Sequence, residues 1–289
     1  MMAATRPAPM AFWQSLGPFH RIVVALSLAL VALAVLAPWA APFAPTDQSL
    51  MSRFKPPYGF DGAKDGFFLG TDELGRDLLS RCIWGLRLTL SLAFLGTAVG
   101  LLIGATLGLL AGVTGGWTEA AIMAAVDMQI AIPFTLVALF LLSMLGTSTL
   151  VMVLVLGIAG WEQYARIIGA ETRRLMAMPF VEAARAAGAT PARIAGVHLL
   201  PNLVSPIVVQ MTLSFSNIIL LESSLSFLGL GVQPPTATLG AMVGVGRDYM
   251  PNAPWIVLAP SLLILSVTFV VQVLGDLARD RADVRLRRR

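Results

Sequence analysis

Apolar positions along the chain gather into long runs, separated by short breaks marked with glycine, proline or charge. Runs over roughly 21–40, 88–112, 121–144, 148–168, 203–223 and 255–275 match the length of about 20 apolar residues that a helix needs to cross a bilayer. They predict six membrane helices. The first, Ile22 to Ala41, ends in small residues as a cleavable signal does, but it exceeds the usual signal core and further spans follow it. We read it as an uncleaved anchor. In the second run Gly96, Gly100, Gly104, Gly108 and Gly112 recur every fourth residue, a spacing that lets two helix backbones approach closely in lipid. That helix is expected to form a tight interface inside a bundle. Segment 70–87 reads as a separate interfacial helix. Thr71 would be its N-cap, Asp72 and Glu73 would lie in its first turn, and Leu74, Leu78, Cys82 and Leu86 would share one side.

Composition agrees with lipid as the solvent. Of 289 residues, 57% are hydrophobic and 12% charged, and mean hydropathy is +0.80, whereas soluble domains carry roughly 25% charge. One cysteine and two histidines, His20 and His198, exclude a disulfide framework and point to no metal site. Net charge is only +4, so its placement matters more than its size. Arg173, Arg174, Arg185 and Arg193 lie between spans four and five, with Arg166 at the edge. Arg279, Arg281, Arg285, Arg287, Arg288 and Arg289 form the C-terminal tail. Basic residues near span ends stay in the cytoplasm, so both termini and the 178–197 loop are expected there. The long 41–87 segment, where acidic residues balance basic ones, is expected outside. The Arg-rich tail reads as a topology anchor, with contact to anionic membrane lipid as the alternative.

The loop between spans four and five is the most informative segment. Ala183, Ala184, Ala186 and Ala187 favour helix, Gly188 suits a C-cap, and Thr190-Pro191 reads as the N-cap and first residue of a second short helix running to His198. A short rigid helix projecting from a membrane bundle is a handle that something soluble can grip.

Glu182-Ala183-Ala184, then Gly188, then His198-Leu199-Leu200-Pro201 resembles the EAA loop of ABC-importer permeases. Histidine at 198 narrows the likeness to the dipeptide, oligopeptide and nickel branch, as its C-type subunit. Gly70-Thr71-Asp72-Glu73-Leu74-Gly75-Arg76-Asp77, Asp127 six residues before Pro133, and Ser224-Leu225-Ser226-Phe227-Leu228-Gly229-Leu230-Gly231-Val232-Gln233-Pro234-Pro235 are similar to that branch as well. One departure is Leu239, where the branch has tryptophan. The resemblance implies an all-α type I permease of six membrane helices in the bacterial inner membrane. It divides the chain into an N-terminal segment 1–84, a permease domain 85–280 and a basic tail 281–289. It also implies an import function, most simply for di- or oligopeptides. Glu182, Ala183, Ala184, Arg185 and Gly188 would form the coupling helix that docks on a separate ATPase. The implied partners are a second homologous permease, two ATPase subunits that use ATP and Mg, and an extracytoplasmic binding protein. Nothing points to nucleic acid.

Energy does not enter through this chain. A phosphate-binding loop needs Gly-x-x-x-x-Gly-Lys-Ser/Thr, and the two lysines, Lys55 before Pro56 and Lys64 before Asp65, do not fit. No hydrolase or zinc-protease motif occurs, so no catalytic or cofactor-binding residue is assigned. In span five Gln210, Ser214, Asn217 and Ser224 fall on one side of a helical wheel and are candidates to line a hydrated path. Interhelical hydrogen bonding is the alternative, and Thr212 and Ser216 lie opposite. Glu222, near the outer end of the span, is expected to face water. Asp127 and Glu162 are candidates to pair with Arg166 or with backbone groups. Rival readings are a nickel or other small-ligand importer, a secondary transporter, and a membrane scaffold.

Overall fold

The computed structural model describes residues 16–233 and 235–282; Arg6, Arg285, Arg287, Arg288 and Arg289 lie outside them. Described secondary structure is helical apart from a single bridge between Thr71 and Asp77. Helix α1 spans Pro18–Val35 and α2 Leu78–Thr114. Then come α3 Gly116–Ala131, α4 Phe134–Leu145, α5 Thr149–Ile158 and α6 Trp161–Met176. The short α7 is Pro179–Ala186, α8 is Pro191–Phe227, α9 is Leu239–Gly246 and α10 is Trp255–Ala282. Five helices, with α5 and α6 taken together, are long and apolar enough to cross a membrane, or six if α3 and α4 count as one span.

The expected third span, 121–144, is not straight. Its halves meet at 86°, because Pro133 disfavours helical backbone at the residue before it. Ile132 is accordingly extended, at φ −106° and ψ 128°.

Segment 70–87 also departs from expectation. Its first eight residues are a tight turn, and helix begins only at Leu78, where the Asp77 carboxylate accepts the Ser80 N–H at 2.7 Å. Two facts oppose an earlier start. Gly70 and Gly75 take positive φ, and the Asp72 side chain captures the Leu74 and Arg76 N–H groups, both at 2.9 Å, in a local competition with helix. Leu78, Cys82 and Leu86 do share a face, but it is buried in the bundle rather than laid on a surface.

The glycine stripe of α2 packs as expected. All five glycines are buried, and a methyl group added to them would meet α5 and α6. At Gly100 it would lie 2.9 Å from the Gly157 carbonyl, and at Gly108 2.7 Å from that of Ala165. The stripe therefore lets α2 approach α5 and α6 closely. Two apolar clusters sit at opposite ends of the bundle. One joins Tyr164, Ile168, Leu175, Val181, Ile194, Leu199 and Leu203 beneath α7; the other joins Leu78, Cys82 and Met242 beneath the 70–77 turn. Apolar side chains such as Phe94, Leu102, Phe140, Leu262 and Phe269 stay exposed, as lipid-facing or partner-facing positions must.

Candidate functional site

The α7 lever is built from local rules. Pro179 occupies the first turn, where its missing N–H is no loss. The far end closes in a Schellman turn. Gly188 sits at φ +80°, its N–H donates to the Arg185 carbonyl at 2.9 Å, and the Ala189 N–H reaches back to that of Ala184 at 3.0 Å. Two residues on, the Thr190 hydroxyl caps the next helix by accepting the Arg193 N–H at 3.3 Å. Predicted as a short separate helix, that next segment instead continues into α8. Ile194–Leu199 forms one wider π turn, and the helix then runs on to Phe227, 37 residues in all and about 55 Å at 1.5 Å per residue. The first turns of α8 and the span are thus one continuous helix, joined to the lever through the Gly188 turn.

One side of α7 is anchored and the other is free. Val181 is fully buried, and Ala184 and Ala189 pack beside it on the α6–α8 cluster. Glu182, Ala183, Arg185 and Gly188 are exposed. Glu182 lies in the first turn and Arg185 in the last, each matching the helix dipole, and neither forms an ion pair among the described residues. The Phe180 and His198 rings lie 6.4 Å apart at the lever's base. Sequence reasoning missed Val181 as the anchor, although it falls between the exposed positions with a helical period.

The polar residues of α8 do not form one stripe. Gln210 and Ser214 are buried and bonded to each other at 3.1 Å, and Gln210 donates to Gln163 of α6 at 2.7 Å. They tie helices together, which was the alternative to a hydrated path. Asn217 and Ser224 are exposed, on a surface this chain leaves uncovered. Gln129 of α3 is a further tie that sequence reasoning missed: it accepts the Trp161 indole N–H at 2.6 Å and donates to Glu162 at 2.9 Å. Asp127, not Glu162, pairs with Arg166, at 2.5 Å.

Glu222 overturns its expectation. It is fully buried and accepts the Ser226 hydroxyl at 2.6 Å, because α9 folds back over this end of α8. Gly240 of α9 meets the Ser223 backbone, where an added methyl would lie 2.5 Å from its Cα. Leu239 is buried too. Its N–H donates to Thr89 of α2 at 3.1 Å, and its side chain abuts Gly85.

Comparison with known proteins identifies the family. Residues 104–284 match the family model described as binding-protein-dependent transport system inner membrane component. The di/tripeptide transport system permease protein DppC of Pseudomonas aeruginosa is 39% identical over 97% of this chain and 94% of its own length. The dipeptide transport system permease protein DppC of Escherichia coli K12 is 36% identical, covering 97% and 96%. Among solved structures, an inward-facing conformation of the MetNI methionine ABC transporter aligns at TM-score 0.57 with 22% identity, over 71% of this chain and 96% of that one, which establishes the shared fold. The chain belongs to the binding-protein-dependent transport system inner membrane components, the permease subunits of ABC importers.

Proposed function

We propose that this multi-pass inner-membrane permease forms half of the pathway of an importer for small peptides, driven by ATPase subunits that grip α7. The peptide assignment is supported by the relatives, named as di/tripeptide and dipeptide permeases, which match nearly end to end. The same membership supports a second homologous permease, two ATPases that use ATP and Mg, and an external binding protein as partners. That this chain has no ATPase site of its own is supported by its two lysines, neither in a phosphate-binding loop. Basic residues beside α7 support a cytoplasmic lever and cytoplasmic termini.

The observation that carries the coupling reading is the one-sided anchoring of α7. Val181 holds it to the cluster while Glu182, Ala183 and Arg185 face outward. Docking of an ATPase on that face would move α7, and the continuous α8 would carry the displacement toward the Phe227 end. For the motion to do work, the ATPases must contact the lever differently in their two states. In this mechanism Gly188 holds the angle between lever and span, and Gln210 and Ser214 keep α8 registered on α6. Asn217, exposed on α8, is then placed to line the path against the second permease.

Co-purification tests this directly. ATPase subunits are expected to come down with the wild-type chain and to be lost with Glu182→Lys plus Arg185→Glu, while both forms insert equally in the membrane. Retention of the ATPases with full uptake by the double variant would refute the coupling role. A scaffold would tolerate the same changes.

A further inference from the structure

At the end of the bundle opposite α7, the 70–77 turn, the end of α8 and α9 enclose a cleft of about 430 Å³. Glu73, Arg76 and Arg81 line one side, and Gln233, Arg247 and Asp248 the other. Arg81 is only 8% exposed, and its charge is poorly matched. The Asp72 Oδ2 atom lies 3.3 Å from its Nε but is already engaged by Arg76 Nε at 2.6 Å, while Oδ1 accepts two backbone N–H groups. Arg81 Nη1 is buried and has no hydrogen-bond partner. Nearby, one Asp77 oxygen is also unpartnered, the other serving as the helix cap. A buried guanidinium donor left without an acceptor is unfavourable. The Arg81 side chain lines the cleft, so an acceptor carried by a ligand can approach its guanidinium group from there.

The charge pattern narrows the ligand. Arg76, Arg81 and Arg247 line the cleft with Glu73 and Asp248, and the Asp72 carboxylate lies against Arg76 and Arg81. A bare multivalent anion entering here would meet carboxylates as well as guanidinium groups. A ligand carrying one charge of each sign suits the balance. The volume falls within the roughly 300–1,000 Å³ of small-ligand pockets. A flat protein surface could not reach a side chain so deeply set.

Resting on the peptide-importer reading, we propose that this cleft is a transit subsite for a zwitterionic small peptide. The peptide's terminal carboxylate binds at the Arg81 guanidinium group, and its ammonium group lies toward Glu73 and Asp248. The subsite sits at the terminus of α8, so the helix driven by the lever also forms a wall of the pocket. Gly229, at φ +84°, closes that helix in a Schellman turn like that at Gly188, with the Leu230 N–H donating to the Leu225 carbonyl at 3.0 Å. Motion of α8 would therefore reshape the cleft as the transporter cycles.

The test uses the complete importer in nanodiscs without its binding protein, with radiolabelled dialanine and its C-terminal amide as probes. Wild type should bind dialanine, and bind the amide roughly tenfold or more weakly, as expected for a lost charge-assisted hydrogen bond. Arg81→Met should abolish that preference and Arg81→Lys retain part of it. Val245, which lines the cleft and is 46% exposed, provides a second variant independent of the Asp72 network: Val245→Trp should fill the cleft and abolish dialanine binding. Equal binding of acid and amide by wild type, undiminished binding to Val245→Trp, or no saturable binding to wild type would each overturn the subsite. An acidic docking site for the binding protein would instead show as weakened binding-protein association in Arg81→Met with dialanine binding absent, and also overturns it. Adding the binding protein separates the two readings. If dialanine then fails to stimulate ATP hydrolysis by wild type, the peptide reading itself is at fault; if it stimulates while the cleft tests fail, only the subsite is.

Discussion

Gly188 offers the sharpest test of the lever. Its φ of +80° lies in the left-handed region, where a residue with a Cβ is disfavoured by roughly 1–2 kcal/mol. No atom lies within 4 Å of an added Cβ, so the cost of Gly188→Ala is backbone strain alone, with no clash mixed in. That strain is comparable to what holds the lever down. Val181 is the fully buried side chain of α7, and burying a valine contributes about 1.5 kcal/mol. The closed Schellman turn should therefore lose population by a factor of about 5–30. Gly188→Val should be worse, being β-branched, whereas Gly188→Asn should be tolerated, since asparagine visits this region readily. In proteoliposomes holding the complete importer, uptake and binding-protein-stimulated ATP hydrolysis should fall in the order Gly, Asn, Ala, Val. Membrane insertion should remain constant. Wild-type uptake by Gly188→Val, or an asparagine variant as impaired as the valine one, would refute the claim that this backbone angle couples lever to span.

Two further outcomes follow from packing. Gly108→Ala would place a methyl 2.7 Å from the Ala165 carbonyl and 3.0 Å from its Cα, closer than the roughly 3.5 Å of ordinary carbon contact. Since α6 must retreat, the assembly should lose about 1–3 kcal/mol, read as a lowered melting temperature in detergent, while Gly196→Ala, with open space around it, should not. Asp72→Ala leaves the buried Arg76 and Arg81 without their shared carboxylate, a loss on the order of 3–5 kcal/mol for a broken buried pair. The single cysteine, Cys82, is buried beneath this turn, so maleimide should label it in Asp72→Ala but not in wild type; protection in both would show that the network does not hold the turn.

Features written in neighbouring residues were legible in the sequence. The Gly188 and Thr190 caps, the glycine stripe and most of the apolar runs needed only a helical period and a few short-range hydrogen bonds. Segment 70–87 misled because its capping residues are ambiguous. Thr71 followed by two acids looks like a helix start, yet the Thr71 hydroxyl donates to the Ser52 carbonyl at 2.5 Å, and Asp72 spends its oxygens on a turn. The first choice depends on a residue brought in from the preceding loop, the second on the Leu74 and Arg76 N–H groups just downstream. Leu78, Cys82 and Leu86 correctly announced a face but not what covers it.

Periodicity fails in a specific way for a chain of this kind. In water, a buried apolar face and an exposed polar one are distinguished by the solvent. In a bilayer, lipid and a neighbouring helix are equally apolar, so an apolar position does not reveal which of them it meets. Polar positions are no safer. Gln210 and Asn217 lie on the same side of a wheel, yet one is buried against Gln163 and the other is exposed, because α6 covers only part of the length of α8. Glu222 shows the same limit from the other direction. An acid near a helix end ordinarily reaches water, and only the return of α9, permitted by Gly240 resting on Ser223, takes that water away. What a helix face does in this protein is decided by the elements that fold over it, and those contacts join residues far apart in the chain.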